Sequence, residues 1–346
     1  MLPCYIIAEA GVNHNGSEEL AHRLVDAAVT AGADAVKFQT FKAERLVTIN
    51  AKKAAYQKKQ TGAGEQFSML KALELSDDAH RRLADYCAEQ EIEFLSTPFD
   101  EVSVDFLIGL GCQRLKIPSG ELTNIPFLRF LATKGLPLIL STGMASLEEV
   151  SDAVTLIAAV RAESGFNEPL AERLSLLHCT SSYPTSLRDV NLRAMRTLAE
   201  EFHLPVGYSD HTAGTFVAPI ARALGAVIFE KHFTLDRSLP GPDHAASLEP
   251  DELVQMVKAI RDTDTLLGRP EKVPAGPELE VRIAARRSVT LKRNVLAGVP
   301  LTEGDLTLMR PGDGLPPSTL ESLYSMKLVR DLQAGTTLHR EDLDEE

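Results

Sequence analysis

The feature that most limits what this chain can become is an alternation that starts near its first residues. Short apolar runs, each long enough for one strand, alternate with segments of helical periodicity. The runs cover 5–10, 35–40, 93–97, 114–118, 137–141, 174–179, 206–209 and 227–232. Runs that are apolar nearly throughout belong to strands covered on both faces. The helical segments carry their own boundaries. Ser146 and Glu149 have capping-box spacing, ahead of Val150, Val154 and Ile157 on one face. Pro250 suits a first helical turn, Leu253, Val257 and Ile260 form a stripe, and Gly268 is a stop. Eight strand–helix units over roughly 250 residues have the size of a TIM barrel. The competing doubly wound sheet fits less well, because no Gly-rich dinucleotide fingerprint follows the first strand.

After Gly268 the texture changes. The stretch 269–277 is rich in Pro and Gly, and 269–285 reads as a linker between a barrel over 1–268 and a small β-rich domain over 286–346. That second domain holds a weak repeat. Ala297-Gly298, Leu301 and Asp305-Leu306 recur as Ala334-Gly335, Leu338 and Asp342-Leu343.

The net charge of −13 disfavours nucleic acid and anionic membranes as partners. An anionic ligand therefore needs a local cluster of Lys and Arg. No apolar run approaches the roughly 20 residues of a membrane span. The N-terminus shows no secretory leader. The four cysteines, Cys4, Cys87, Cys112 and Cys179, have no paired spacing and read as reduced packing residues. Together these predict a cytoplasmic protein.

In a TIM barrel the C-terminal strand ends face one bowl, and the active site lies there. Here those ends are polar. They carry Glu9, Lys37 with Gln39, Thr97, Lys116 with Ser119 and Glu121, Ser141, Ser181 with Tyr183, Ser209 with His211, and Glu230 with His232. Taken singly, such a lysine pairs with a helix and such a hydroxyl caps one. Converging on one bowl, Lys37 and Lys116 with Thr97, Ser119, Ser181 and Ser209 supply donors for a phosphate and a carboxylate. His211 and His232 end adjacent strands. Two imidazoles plus waters suit one divalent metal with positions left open. The alternative is that one imidazole simply bonds to substrate. Glu230 shares the inward face with His232 and would support it from behind. His178 reads as structural, and Lys231, alternating with His232, points away from the bowl.

These motifs, quoted in order, resemble the sialic acid synthase family. They are Ala-Glu9-Ala-Gly-Val-Asn13-His-Asn-Gly16, Val-Lys37-Phe-Gln39-Thr, Ser-Thr97-Pro-Phe, Lys116-Ile-Pro-Ser119-Gly-Glu121, Ser-Thr-Gly-Met144, Tyr208-Ser-Asp-His211-Thr, Glu-Lys-His232-Phe-Thr and Pro240-Gly-Pro-Asp243-His. Arg310-Pro-Gly-Asp-Gly314 resembles the family's antifreeze-like (SAF) domain. The resemblance implies condensation of phosphoenolpyruvate with open-chain N-acetylmannosamine, giving a nine-carbon 2-keto acid and phosphate. The alternative is a related nonulosonic acid, legionaminic or pseudaminic, made from a diacetamido-trideoxyhexose. By the same resemblance, Lys37, Thr97, Lys116, Ser119, Ser181 and Ser209 hold phosphoenolpyruvate. His211 and His232 hold Mn²⁺, with Mg²⁺ or Co²⁺ as alternatives. Gln39, Tyr183 and Asp243 contact the sugar, and Glu9 and Glu121 lie near the reacting carbons, with Glu121 handling a proton. Arg310 reaches the barrel of the other protomer in a domain-swapped homodimer. Two other classes compete: a metal-free Schiff-base aldolase using Lys37 or Lys116, and a sugar-binding protein that has lost catalysis.

Overall fold

The structure, a computed structural model, describes residues 3–344. Residues 1, 2, 345 and 346, the outer ends of the two expected domains, lie outside it. The chain divides into two compact units at Gly268/Arg269.

The first unit is built on eight parallel strands: β1 (Tyr5–Gly11), β2 (Ala35–Thr40), β3 (Glu93–Pro98), β4 (Leu115–Ile117), β5 (Leu138–Ser141), β6 (Leu174–Cys179), β7 (Val206–Asp210) and β8 (Ile228–His232). Ladders join them in the order β3-β2-β1-β8-β7-β6-β5-β4, and β3 adjoins β4, so the ring is nearly closed. This is the TIM-like barrel that the alternation predicts.

Helix boundaries follow local chemistry. Ser146 and Glu149 exchange the two capping bonds, Ser146 N to Glu149 Oε2 at 2.8 Å and Glu149 N to Ser146 Oγ at 3.2 Å. The helix they open, Leu147–Glu163, buries Val150, Val154 and Ile157 against the barrel. Helix Pro250–Leu267 buries Leu253, Val257 and Ile260 and ends at Gly268, whose φ is positive.

Inside the ring, side chains of alternate residues stack in layers. At the N-terminal end Tyr5 donates to Glu93 at 2.7 Å, and Arg114 both pairs with Glu93 and lies over the Tyr5 ring. One pleat up, Ile7, Ala35, Leu95, Ile139, Leu177 and Ile228 form a dry apolar plug. One further pleat up, the same strands present Glu9, Lys37, Thr97, Ser141, Cys179 and Glu230. The functional layer therefore rests directly on a hydrophobic floor.

Between β2 and β3 the chain makes more than one crossover. It adds helices Ala43–Leu46, Ala55–Thr61 and Gln66–Leu73 before helix Asp77–Glu89 returns to the barrel. Leu73 and Val12 pack with Phe41 in a small separate core, which Met69 and Leu70 flank.

The second unit pairs β9 (Ser288–Leu291) antiparallel with β10 (Leu306–Met309). The sequence repeat is a repeated turn. Gly298 and Gly335 both take positive φ, Leu301 and Leu338 are buried, and Asp305 and Asp342 each close a 3-10 turn while pairing with Arg293 and Arg330. The expected linker over 269–285 differs in its second half. Gly276–Ala285 is a helix with Pro277 in its first turn, and Glu278 accepts from Ala275 N at 2.7 Å.

Candidate active site

Four ionisable side chains are packed onto the apolar floor. Lys37, Lys116, Glu9 and Glu230 are each at most 5% exposed. Lys37 Nζ lies 2.7 Å from Glu9 and 3.6 Å from Glu230, and donates to Thr97 Oγ1 at 3.0 Å. Lys116 Nζ lies 3.5 Å from Glu230 and donates to Ser141 Oγ at 2.7 Å. Ser209 Oγ donates to Glu230 at 2.8 Å. Glu230 thus sits between the two lysines.

The two carboxylates diverge in character. Burial pushes Glu230 up, but Lys116 and Lys37, with the Ser209 hydroxyl, outweigh it and hold the group ionised. At Glu9 burial wins over Lys37, and the repulsion of Glu230 adds to it, so its carboxyl stands well above the ordinary range. Two carboxyl groups separated in this way suit one fixed charge and one exchangeable proton.

Beside this cluster, Ser119, Ser181 and Cys179 converge on Gly143. Ser119 Oγ accepts from Gly143 N at 3.0 Å and lies 3.2 Å from Cys179 Sγ. A Cβ on Gly143 would stand 2.8 Å from Ser119 Oγ and 2.9 Å from Cys179 Sγ, so only glycine leaves the cradle open. Cys179 is buried, as expected of all four cysteines. It packs into the site wall rather than into the core behind it.

The imidazoles sit on the next strand ends. His211 Nδ1 donates to the Thr180 carbonyl at 2.8 Å, which leaves Nε2, 3.5 Å from Ser209 Oγ, as the unprotonated ring atom. Its ring centroid is 5.7 Å from that of His232, and Tyr183 lies against both. Burial lowers the pKa of each, and for His232 the neighbouring His211 and Lys37 add to the effect. Both rings are therefore neutral, the form that binds metals. Buried His232 Nδ1 has no hydrogen-bond partner. Two neutral imidazoles this close together are the kind of donor that fits a single divalent ion of the Mn²⁺–Zn²⁺ type, with its other positions open to water and substrate. Among the described residues no group of three or more His, Cys, Asp or Glu is placed to hold a metal.

At Gly11 the ladder between β1 and β2 shifts register, and φ is positive. A Cβ there would meet Glu9 Oε1 at 3.2 Å and both Gln39 Nε2 and His232 Cε1 at 3.4 Å. Beyond them lies a cavity of about 120 Å³ whose lining includes Gln39, Tyr183, His232 and Asp243. Burial raises Asp243 to about 6. Val12, Gln57 and Pro242 also line it, with Tyr56, Met69, Leu70 and Leu73. The latter four come from the extra helices after β2, which the strand pattern does not reveal. The signal available was the length of 41–92, far beyond one crossover helix.

Of the site residues expected in the barrel, Glu121 stands apart from the cluster. Glu121 lies in the 3-10 turn Ser119–Glu121, half-buried, and accepts from Asn124 Nδ2 at 2.6 Å; the carboxyl packed among the lysines is Glu9. Arg310 is exposed in the second unit, just after β10. His178 donates from Nε2 to the Val190 carbonyl at 2.9 Å, as a structural histidine should. Lys231 is outside the bowl as expected, fully buried against Asp210 at 2.6 Å and donating to the Thr212 carbonyl at 2.7 Å.

A barrel with a buried cationic cluster, a hydroxyl cradle and paired neutral imidazoles at its C-terminal face has the architecture of a small-molecule enzyme. The chain belongs to the NeuB family, whose model matches residues 24–272, and a SAF domain matches residues 286–344. It is 52% identical over 344 residues to an N,N'-diacetyllegionaminic acid synthase of Legionella pneumophila, covering 99% of this chain and 95% of that one. A Campylobacter jejuni enzyme of the same name is 45% identical, covering 90% of this chain and 91% of that one. The crystal structure of an N-acetylneuraminic acid synthetase from Leptospira borgpetersenii, in complex with citrate, superposes with a TM-score of 0.68. It is 34% identical and covers 81% of this chain and 90% of its own. Among the described residues no helix is long and apolar enough to cross a membrane.

Proposed function

We propose that this protein condenses phosphoenolpyruvate with a diacetamido-trideoxyhexose, giving a legionaminic-type nonulosonic acid and phosphate. This replaces the N-acetylmannosamine reading that the motifs put first, because the 52% and 45% identical relatives are both diacetyllegionaminic acid synthases. The observation that carries the reading is the pair of buried lysines, Lys37 and Lys116, beside two neutral imidazoles on one apolar floor.

Lys37 and Lys116, with Thr97, Ser119, Ser181 and Ser209, would bind the phosphate and carboxylate of phosphoenolpyruvate. Gln39, Tyr183 and Asp243 would orient the open-chain sugar. His211 and His232 would hold a divalent ion, Mn²⁺ by preference, which supplies Lewis-acid polarisation of the sugar carbonyl. The methylene carbon of phosphoenolpyruvate would add to that carbonyl. Water would add at the adjacent carbon, and phosphate would leave from it. Glu9, whose carboxyl is raised by burial and packed among the reacting groups, is better placed than rim-sited Glu121 to hold or return a proton. Glu230 keeps the two lysines charged and apart. Two further readings rest on the family resemblance alone: a domain-swapped homodimer in which Arg310 serves the partner's site, and a cytoplasmic location.

The test is phosphate release from phosphoenolpyruvate with the diacetamido-trideoxyhexose or with N-acetylmannosamine, with and without EDTA, and mass analysis of the keto acid. EDTA-sensitive release, faster with the diacetamido sugar, is expected. A clear preference for N-acetylmannosamine would return the reading to sialic acid synthesis. Covalent trapping by borohydride without metal would point to the Schiff-base aldolase.

A further inference from the structure

The loop between β8 and helix Pro250–Leu267 carries Asp243 to the cavity beside His232. Among the described residues nothing hydrogen-bonds to the Asp243 carboxylate, and burial is the sole cause of its shift. The backbone of the loop therefore decides where that carboxylate stands. The Asp243 carbonyl accepts from Ser247 Oγ at 2.7 Å and from Ala246 N at 3.1 Å. The turn that follows β1 clasps this backbone. Asn13 Nδ2 donates to the Phe233 carbonyl at 2.8 Å and to Ser247 Oγ at 3.0 Å. Fully buried His244 ties the loop again, with Nδ1 2.7 Å from Thr234 Oγ1 and Nε2 3.1 Å from Asn15 Oδ1.

The direction of these bonds is settled by chemistry. Burial lowers His244 to about 4, so its ring is neutral and carries one N–H. An amide oxygen only accepts, so that proton is on Nε2 and points at Asn15 Oδ1. Nδ1 then accepts from the Thr234 hydroxyl, whose contact with the Asp236 carbonyl is longer, 3.2 Å. A Cβ on Gly241 would stand 2.6 Å from His244 Cδ2 and 2.9 Å from Asn15 Oδ1, so glycine lets the loop close over this contact. Resting on the reading that Asp243 orients the sugar, we propose that Asn15, His244 and Ser247 are positioning residues for Asp243. The turn after β1 latches the loop through them. The cavity lining includes none of the three, so they act on the sugar only through the place they give Asp243.

The experiment measures KM for phosphoenolpyruvate and for the sugar at saturating Mn²⁺ in the wild type, N15G, N15D and S247A. The sugar is whichever of the diacetamido-trideoxyhexose and N-acetylmannosamine the wild type turns over faster. Asn15 has a φ of 51°, so glycine suits its backbone and removes only the amide. Ser247→Ala removes one hydroxyl and adds no bulk, and a thermal melt checks that both variants fold. A misplacement of about 1 Å can cost on the order of 100-fold, so N15G and S247A should each raise KM for the sugar about tenfold or more. KM for phosphoenolpyruvate should stay within about twofold in both. N15D keeps an oxygen where His244 Nε2–H points, and aspartate tolerates positive φ, so its KM for the sugar should lie within about threefold of the wild type. An unchanged KM for the sugar in N15G and S247A, an N15D as impaired as N15G, or parallel rises for both substrates would overturn the latch while leaving the synthase reading intact. A wild type that turns over neither sugar overturns that reading and the latch with it.

Discussion

Replacing Lys231 by Met removes a charge from the most enclosed ion pair in the barrel. Lys231 and Asp210 have side-chain exposures of 1% and 0%, and their atoms lie 2.6 Å apart. Asp210 also accepts from Thr212 N at 2.9 Å, and Lys231 donates to the Thr212 carbonyl, so the pair grips both sides of the residue after His211. Lys231→Met leaves the Asp210 carboxylate in a region that water does not reach, and leaves one carbonyl unmatched. Removing one member of a buried pair costs about 3–5 kcal/mol. Asp210→Asn in the same chain removes the stranded charge while retaining an acceptor for Thr212 N, so the double variant should recover all but about 1–2 kcal/mol. Urea unfolding followed by far-UV circular dichroism measures both. Mn²⁺ affinity should weaken in the single variant and partly return in the double, because the turn that aims His211 is loosened and then re-formed. A single variant that loses less than about 1 kcal/mol, the scale of a solvated surface pair, would refute the argument.

Three further outcomes follow from the geometry. Gly143→Ala should fold with nearly wild-type stability yet raise KM for phosphoenolpyruvate at least tenfold, because its Cβ would crowd Ser119 Oγ and Cys179 Sγ; steady-state kinetics and a thermal melt check this together. Asp243 is raised to about 6 in the folded state by burial. The folded protein therefore binds the extra proton between about pH 4 and 6, and this site's contribution to stability falls as pH rises through that window. Asp243→Asn should gain on the wild type over the same window, by no more than about 3 kcal/mol, in melts run at a series of pH values. Glu230→Gln leaves Lys37 and Lys116 without their shared counter-ion, so added phosphate should raise its melting temperature more than that of the wild type.

The strands were legible because each is a solid apolar run, and once they are placed the pleat decides direction. Ile7 inward puts Glu9 inward, Ala35 brings Lys37, and Ile228 brings Glu230 and then His232. The same rule turns Lys231 out. Residues beyond the strand ends follow no pleat. Glu121 is close in sequence to Lys116, yet a 3-10 turn carries it to the rim beside Asn124. The helices after β2 escaped notice because they run only four to eight residues, too short for a clear 3.6-residue period. Helix Gly276–Ala285 was hidden by the Pro-Gly composition before it, although Pro277 and Glu278 are both favourable in a first turn. Cys179 shows how a residue type misleads: a buried cysteine is usually inert filling, and here the same burial places its sulfur in the wall of the cradle.

The apolar plug of Ile7, Ala35, Leu95, Ile139, Leu177 and Ile228 has a kinetic consequence. It makes the barrel a blind shaft with a single mouth. Lys37 and Lys116 stand at its bottom, directly on the plug, while Gln39, Tyr183 and Asp243 border the space above. Traffic in such a shaft is last in, first out. Under the proposed reaction, phosphoenolpyruvate on the lysines would have to load before the sugar covers it, and the sugar-derived product would have to depart before phosphate can. Initial-rate patterns should accordingly be those of a compulsory order, with the sugar binding to an enzyme already charged with phosphoenolpyruvate.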